Sequence, residues 1–212
     1  MGSKMKCKNL KNRLRLIFLL IFIISIPKIS SSKTENQDNF LEVKNYLSNL
    51  KTLNADFIQI SNDGAIRKGK IYISLPGKLR ISYENPDDIL ITSMGFWLVV
   101  QNRKLKQTNN YPLSKTPLNF FLNKKLDLDN NDYNMNFDYK NGIFTLKFLN
   151  KKEMVGTSFQ LFFKTNPVQL KKWEIVDEFD SKTSVLFQNL TTGIQHSNLL
   201  FFPEDFGEIN ND

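Results

Sequence analysis

The sequence predicts a mainly β domain with two short apolar helices: ten or eleven antiparallel strands in one sheet, curled so that the helices cover its open side. Three observations carry this. From Leu53 onward, apolar and polar residues alternate at period two, as half-buried strands require. The breaks between these runs are short and rich in turn formers, so successive strands are antiparallel neighbours in a meander. That many strands in one small domain must bend strongly or close into a barrel.

The elements follow in order. Residues 33–38 read as a polar linker. Asp38 then caps a helix whose apolar positions, Phe40, Val43, Leu47 and Leu50, are spaced three, four and three apart. Such a stripe packs on a core or closes over a ligand, and the two roles are compatible. Leu53, Ala55 and Phe57 begin the first strand. Asn62-Asp63-Gly64 turns the chain. Ile71 and Ile73 lead to Pro76-Gly77, and Leu79, Ile81 and Tyr83 lead to Asn85-Pro86. Ile89–Thr92, Phe96–Gln101 and Lys104–Thr108 read as further strands, and Tyr111-Pro112 as a loop. Thr116 at the cap and Pro117 at the first turn start a second helix. It carries Leu118, Phe121 and Leu122 and ends near Asn123. Strands resume at about 132–138, 143–149, 157–165, 170–178 and 183–190, broken at Asn141-Gly142, Asn166-Pro167 and Asp180-Ser181.

The N-terminus explains most of the charge. The formal net charge is +8, from 29 basic and 21 acidic residues. Seven of the basic residues lie in 1–32, which has no acid, so the remainder is close to neutral. A basic leader, the apolar run Leu16–Ile26, Pro27 and the patch Ser30-Ser31-Ser32 are the parts of a cleaved secretory signal. The run is short for a bilayer span, which needs about 20 residues; a retained anchor is the alternative. Export leaves one domain, 33–212, in the periplasm. Cys7 is the single cysteine and precedes the apolar run, so the exported chain has no disulfide, no thiolate and no site for lipidation. Nucleic-acid binding loses its electrostatic basis once the leader is removed.

Catalytic patterns are missing. His196 is the single histidine and falls in a polar stretch, where it reads as solvated. There is no nucleophile elbow and no phosphate-binding glycine loop. Asp87-Asp88 and Asp127/Asp129 read as solvated loop ends. No metal, cofactor or ATP site is expected, and any energy must come from a partner. The apolar inventory, with 18 Phe, points instead to a binding surface.

The ordered set Phe57-x-Gln59, Gly64, Gly69, Pro76-Gly77, Arg80, Tyr83, Pro86, Gly95 with Trp97, Gln107 and Thr116-Pro117-Leu118 resembles the periplasmic outer-membrane lipoprotein carriers, the LolA family. The resemblance spans about 40–206 and is densest from 53 to 122. It implies an incomplete antiparallel barrel, closed by a helical lid over a hydrophobic cavity for lipoprotein acyl chains. It also implies two partners, an inner-membrane ABC-type transporter and an outer-membrane acceptor, with the carrier acting as a monomer. Two positions depart from the pattern. Leu75 stands where many members have an Arg that latches the lid, so Leu75 and Arg80 are the candidate lid contacts. Met94-Gly95 replaces a common Asp-Gly turn.

The candidate cavity wall is Ala55, Phe57, Ile71, Ile73, Leu79, Ile81, Tyr83, Ile89, Ile91, Leu98 and Val100. A one-residue slip would exchange Leu98 and Val100 for Trp97 and Val99. Lid candidates are Phe40, Val43, Leu47, Leu118, Phe121 and Leu122. Each of these could equally be ordinary core. A lipid- or protein-binding sensor built on the same half-barrel is the competing reading, and a lipid-modifying enzyme the third.

Overall fold

The computed structural model describes residues 32–122, 133–150, 157–177 and 179–207. The leader up to Ser31, the expected helix end at Asn123 and the pair Asp127/Asp129 lie outside the described residues. The described residues from Asn36 onward form one compact unit.

Helix α1 spans Ser32–Asn49. Six strands follow: β1 Thr52–Ile60, β2 Ile66–Ser74, β3 Lys78–Tyr83, β4 Ile89–Met94, β5 Trp97–Asn102 and β6 Gln107–Pro112. After a 3-10 turn, Leu113–Lys115, comes helix α2, Leu118–Leu122. Strands β7 Tyr133–Lys140, β8 Ile143–Asn150, β9 Ser158–Lys164, β10 Gln169–Val176 and β11 Lys182–Thr192 complete the sheet. A second 3-10 turn, Asn198–Phe201, lies in the tail.

All eleven strands belong to one antiparallel sheet in the order β6-β5-β4-β3-β2-β1-β11-β10-β9-β8-β7. Two meanders are joined where β1 pairs with β11. β6 and β7 are the two edges, so the sheet is open. This is the incomplete barrel that the strand count predicts.

The turns show why the meander forms. Asp63 accepts a hydrogen bond from the Ala65 N–H at 3.0 Å and Gly64 takes φ +80°, closing the β1–β2 hairpin. Asn141 and Gly142 both have positive φ, the signature of a tight two-residue hairpin. Gly69 is required by close approach. A Cβ there would meet the Ser82 carbonyl at 2.2 Å and the Phe57 ring at 2.8 Å.

Three expectations need correction. The polar stretch 33–38 is helical, and Asp38 is an exposed interior residue of α1 rather than its cap. The stretch has no Gly or Pro, so nothing stops the helix from extending backward. Lys104–Lys106 form the hairpin turn and not a strand. The Asn102 side chain accepts from the Leu105 N–H at 3.0 Å and Lys106 takes φ +51°. The strand proper, β6, includes Tyr111 and Pro112 and pairs with β5 throughout. Thr116 does not cap α2 with its hydroxyl, which donates to the Leu113 carbonyl at 2.8 Å.

Candidate functional site: the helix-covered concave face

Cross-strand register decides which side chains share a face, because directly opposed residues point the same way. Ala55, Ile71, Ile81, Ile91 and Val100 form one row across β1–β5. Leu53, Ile73, Leu79, Ser93 and Leu98 form the next. Phe57, Gly69 and Tyr83 form a third. The wall candidates therefore lie on one face, with Leu98 and Val100 in register rather than Trp97 and Val99. Ala55, Phe57, Ile71, Ile73, Leu79, Ile81 and Leu98 are between 0% and 7% exposed. Tyr83, Ile89, Ile91 and Val100 are half-buried. Phe57 meets Tyr83 edge-to-face at 5.2 Å, and the Tyr83 hydroxyl donates to Gln59 at 2.6 Å. Burial pushes the Tyr83 phenol up to about 12, so it stays a neutral donor.

Sequence reading left out the other half of this face. On β8 and β9, Phe144, Leu146, Phe148, Phe159, Leu161 and Phe163 are buried in the same core. Trp173 on β10 and Phe187 on β11 join them, 5.1 Å apart edge-to-face. The signal was present as period-two alternation in 144–148 and 159–163.

Both helices lie on this face. Val43 and Leu47 of α1 are buried in the core cluster, and Phe40 stacks on Phe137 at 4.7 Å. In α2, Phe121 and Leu122 are buried and Leu118 packs against the cluster half-buried. Phe121 lies 5.8 Å from Trp173, edge-to-face. Phe120, not anticipated, is also buried, with its ring 3.7 Å from that of Phe148.

The lid contact differs from expectation. Arg80 alternates with Leu79 and Ile81 and so points to the outer face. There it donates to the Leu200 carbonyl and pairs with Glu204, both at 3.2 Å, which corrects its assignment to the lid. Leu75 packs against the core. The link between the Pro76-Gly77 corner and the lid is made by backbone: the Gly77 N–H donates to the Leu122 carbonyl at 2.7 Å. Gly77 has φ +77°, and a Cβ there would lie 2.8 Å from Gly95, so the corner needs glycine twice over.

The remaining polar candidates are structural. Asp87 pairs with Arg67 at 3.3 Å and Asp88 with Arg103 at 3.2 Å. His196 is half-buried, 2.6 Å from Asn54 Oδ1 and edge-on to Tyr72, rather than solvated. Among the described residues, no three metal-ligating side chains converge.

An open antiparallel sheet with an apolar concave face beneath two helices defines a lidded half-barrel. The chain belongs to the family described as outer membrane lipoprotein carrier protein LolA, whose model matches residues 48–203. An outer-membrane lipoprotein carrier protein of Methylococcus capsulatus is 29% identical over 168 residues, covering 75% of this chain and 80% of that one. An uncharacterized protein of Rickettsia prowazekii is 24% identical over 187 residues, covering 88% and 86%. The solved LolA superfamily protein of Nitrosomonas europaea is 9% identical, with a TM-score of 0.44 over 79% of this chain and 97% of that one.

Proposed function

We propose that this protein is a periplasmic lipoprotein carrier whose concave face receives acyl chains when α1 and α2 move aside. The observation that carries this reading is the continuous apolar face running from Leu98 on β5, through β1 and β11, to Phe144 on β8. Exposing an acyl chain to water costs about 0.8 kcal/mol per methylene. A lipoprotein therefore leaves its membrane only if a comparable apolar surface replaces the bilayer. Hydrophobic and dispersion contacts need no fixed geometry, so one wall can serve many cargoes.

The helices close over the face. Most of the wall is buried beneath them, so cargo enters by taking over contacts that the helix side chains now make. Helix α2 is five residues long and suits that exchange. Trp173 supplies a polar mark inside: its indole N–H is buried without a hydrogen-bond partner. We assign it to the ester or amide carbonyl of an entering lipid, which would satisfy it. The role is binding without catalysis, the leader 1–32 directs export, and an inner-membrane transporter supplies the cargo and the energy.

Uptake of a synthetic diacylated lipopeptide tests this. Phe57→Glu and Ile81→Glu place an unpaired charge on the wall and should abolish uptake. Lys68→Glu, at an exposed position on β2, should leave it intact. Circular dichroism first establishes that all three variants are folded. Equal loss in all three would refute the assignment of the concave face.

A further inference from the structure

We propose that one end of the half-barrel is a contact surface for an anionic phospholipid bilayer. The two ends of the strands differ in charge. Register brings together at one end the β2–β3 corner, the β4–β5 turn, the end of β6, and the β7–β8 and β9–β10 turns. Lys51, Lys78, Lys115, Lys140 and Lys164 all lie there. Among the described residues, the turns and strand termini of this end, including 191–202, hold no Asp or Glu. The opposite end is mixed: Asp63, Glu84, Asp87, Asp88, Asp177 and Asp180 are offset there by Arg67, Arg103, Lys104, Lys106 and Lys182. The acid nearest the basic end among the described residues is Asp138, exposed on β7 two residues before Lys140; Glu204 sits further along the outer face, engaged by Arg80 and Arg103.

The same end is oily at its tip. Phe96 is 86% exposed, Leu199 78%, Trp97 55%, Phe202 50% and Met94 40%. Met94, Phe96, Trp97 and Phe202 line one shallow groove with Phe201 and Pro203. Phe96 in the turn and the half-exposed Trp97 that opens β5 leave large ring surface in water, which is costly. Trp and Phe flanked by lysine are the side chains that settle at a bilayer interface, where the rings enter the headgroup layer and the ammonium groups meet lipid phosphates. A fluid bilayer also needs no complementary pocket, which suits side chains that protrude. The contact is independent of cargo, and the empty protein should show it.

The chain has two tryptophans, Trp97 at the tip and Trp173 in the interior, so fluorescence can report on the tip alone. The full chain is mixed with vesicles of phosphatidylcholine and brominated phosphatidylglycerol. Expected is quenching in the wild type that is absent in Trp97→Phe, and absent with brominated phosphatidylcholine alone. Neutralising two lysines beside the tip, Lys78→Ala with Lys115→Ala, should weaken binding by about thirtyfold, at roughly tenfold or less per lysine. Phe96→Ser with Phe202→Ser should weaken it further. The leader contains no tryptophan and is shared by every variant, so anchoring through it would leave these substitutions without effect and overturn the proposal. Quenching that is equal on neutral vesicles would overturn it as well. So would a Trp97 shielded without vesicles in a dimer seen by light scattering, which would assign the tip to a second copy.

Discussion

The two halves of the concave face are built from different side chains. β1–β5 present mainly aliphatic groups: Leu53, Ala55, Ile71, Ile73, Leu79 and Ile81. β8–β11 present mainly rings: Phe144, Phe148, Phe159, Phe163, Trp173 and Phe187. The helices respect this division. The lid rings Phe40, Phe120 and Phe121 meet Phe137 on the neighbouring β7 and Phe144, Phe148, Phe159 and Trp173 on the second half. Ring pairs add about 0.5–1.5 kcal/mol each beyond their buried area and fix orientation. The rings of the lid are therefore held by aromatic partners, while the first half adds the Gly77–Leu122 backbone bond. For the acyl-chain role proposed above, the aliphatic half would be the surface on which a hydrocarbon chain slides into many registers.

Removing a lid ring gives the largest test of that division. Phe121→Ala deletes a fully buried ring touching Phe159 and Trp173 and should destabilise the protein by about 3–5 kcal/mol. Binding of a hydrophobic dye to the empty protein should rise, because the lid loses its grip. Trimming the aliphatic half should do much less. Ile71→Val should cost about 0.5–1.5 kcal/mol by chemical denaturation and leave dye binding unchanged. Increased dye binding in Ile71→Val would break the division, since both halves would then hold the lid.

The aromatic half also carries an acid-sensitive support on its outer face. Glu174, next to Trp173 on β10, is buried, and burial alone would raise its pKa. Hydrogen bonds from Lys172, Lys182 and Ser184 outweigh that and lower it. A carboxylate with a depressed folded pKa stabilises the fold above its unfolded value, about 4.3, and loses that contribution as pH falls through the folded value. Melting temperature should therefore fall on acidification through this range, and fall less in Glu174→Gln. Parallel curves for the two proteins would mean that this network is neutral to stability.

The smallest effect is expected at the β2–β3 corner of the aliphatic half. The family resemblance implies an Arg latch at position 75, which Leu75→Arg would introduce. The Gly77–Leu122 backbone bond already makes that link, so Leu75→Arg should change dye binding by less than about threefold at matched folded fraction. A larger fall would show that the corner latch is incomplete in the native chain.

Legibility in the sequence followed the same division. Which residues of β1–β3 share the helix-covered face could be read because Leu53–Phe57, Ile71–Ile73 and Leu79–Tyr83 alternate cleanly between short turns. Phe144–Phe148 and Phe159–Phe163 alternate as well, but the residues that tie their faces to the helices are far away in sequence. β6 was misplaced because Gln107-Thr108-Asn109-Asn110 has no apolar period and owes its strand form to β5. The tail was silent for a similar reason. Glu204 reaches Arg80, Gln101 and Arg103 across more than a hundred residues, and no local pattern encodes such a link.

The interior tryptophan gives the most direct test of acyl-chain binding. In a Trp97→Phe protein, Trp173 alone fluoresces, and it sits among Phe121, Phe159 and Phe187 beneath the lid. A diacylated lipopeptide with bromines along its chains should quench it in proportion to occupancy, and Phe57→Glu should abolish the quenching. Lipopeptide that binds, as shown by anisotropy, while Trp173 emission stays unchanged would place the chains elsewhere and contradict the assignment of the concave face.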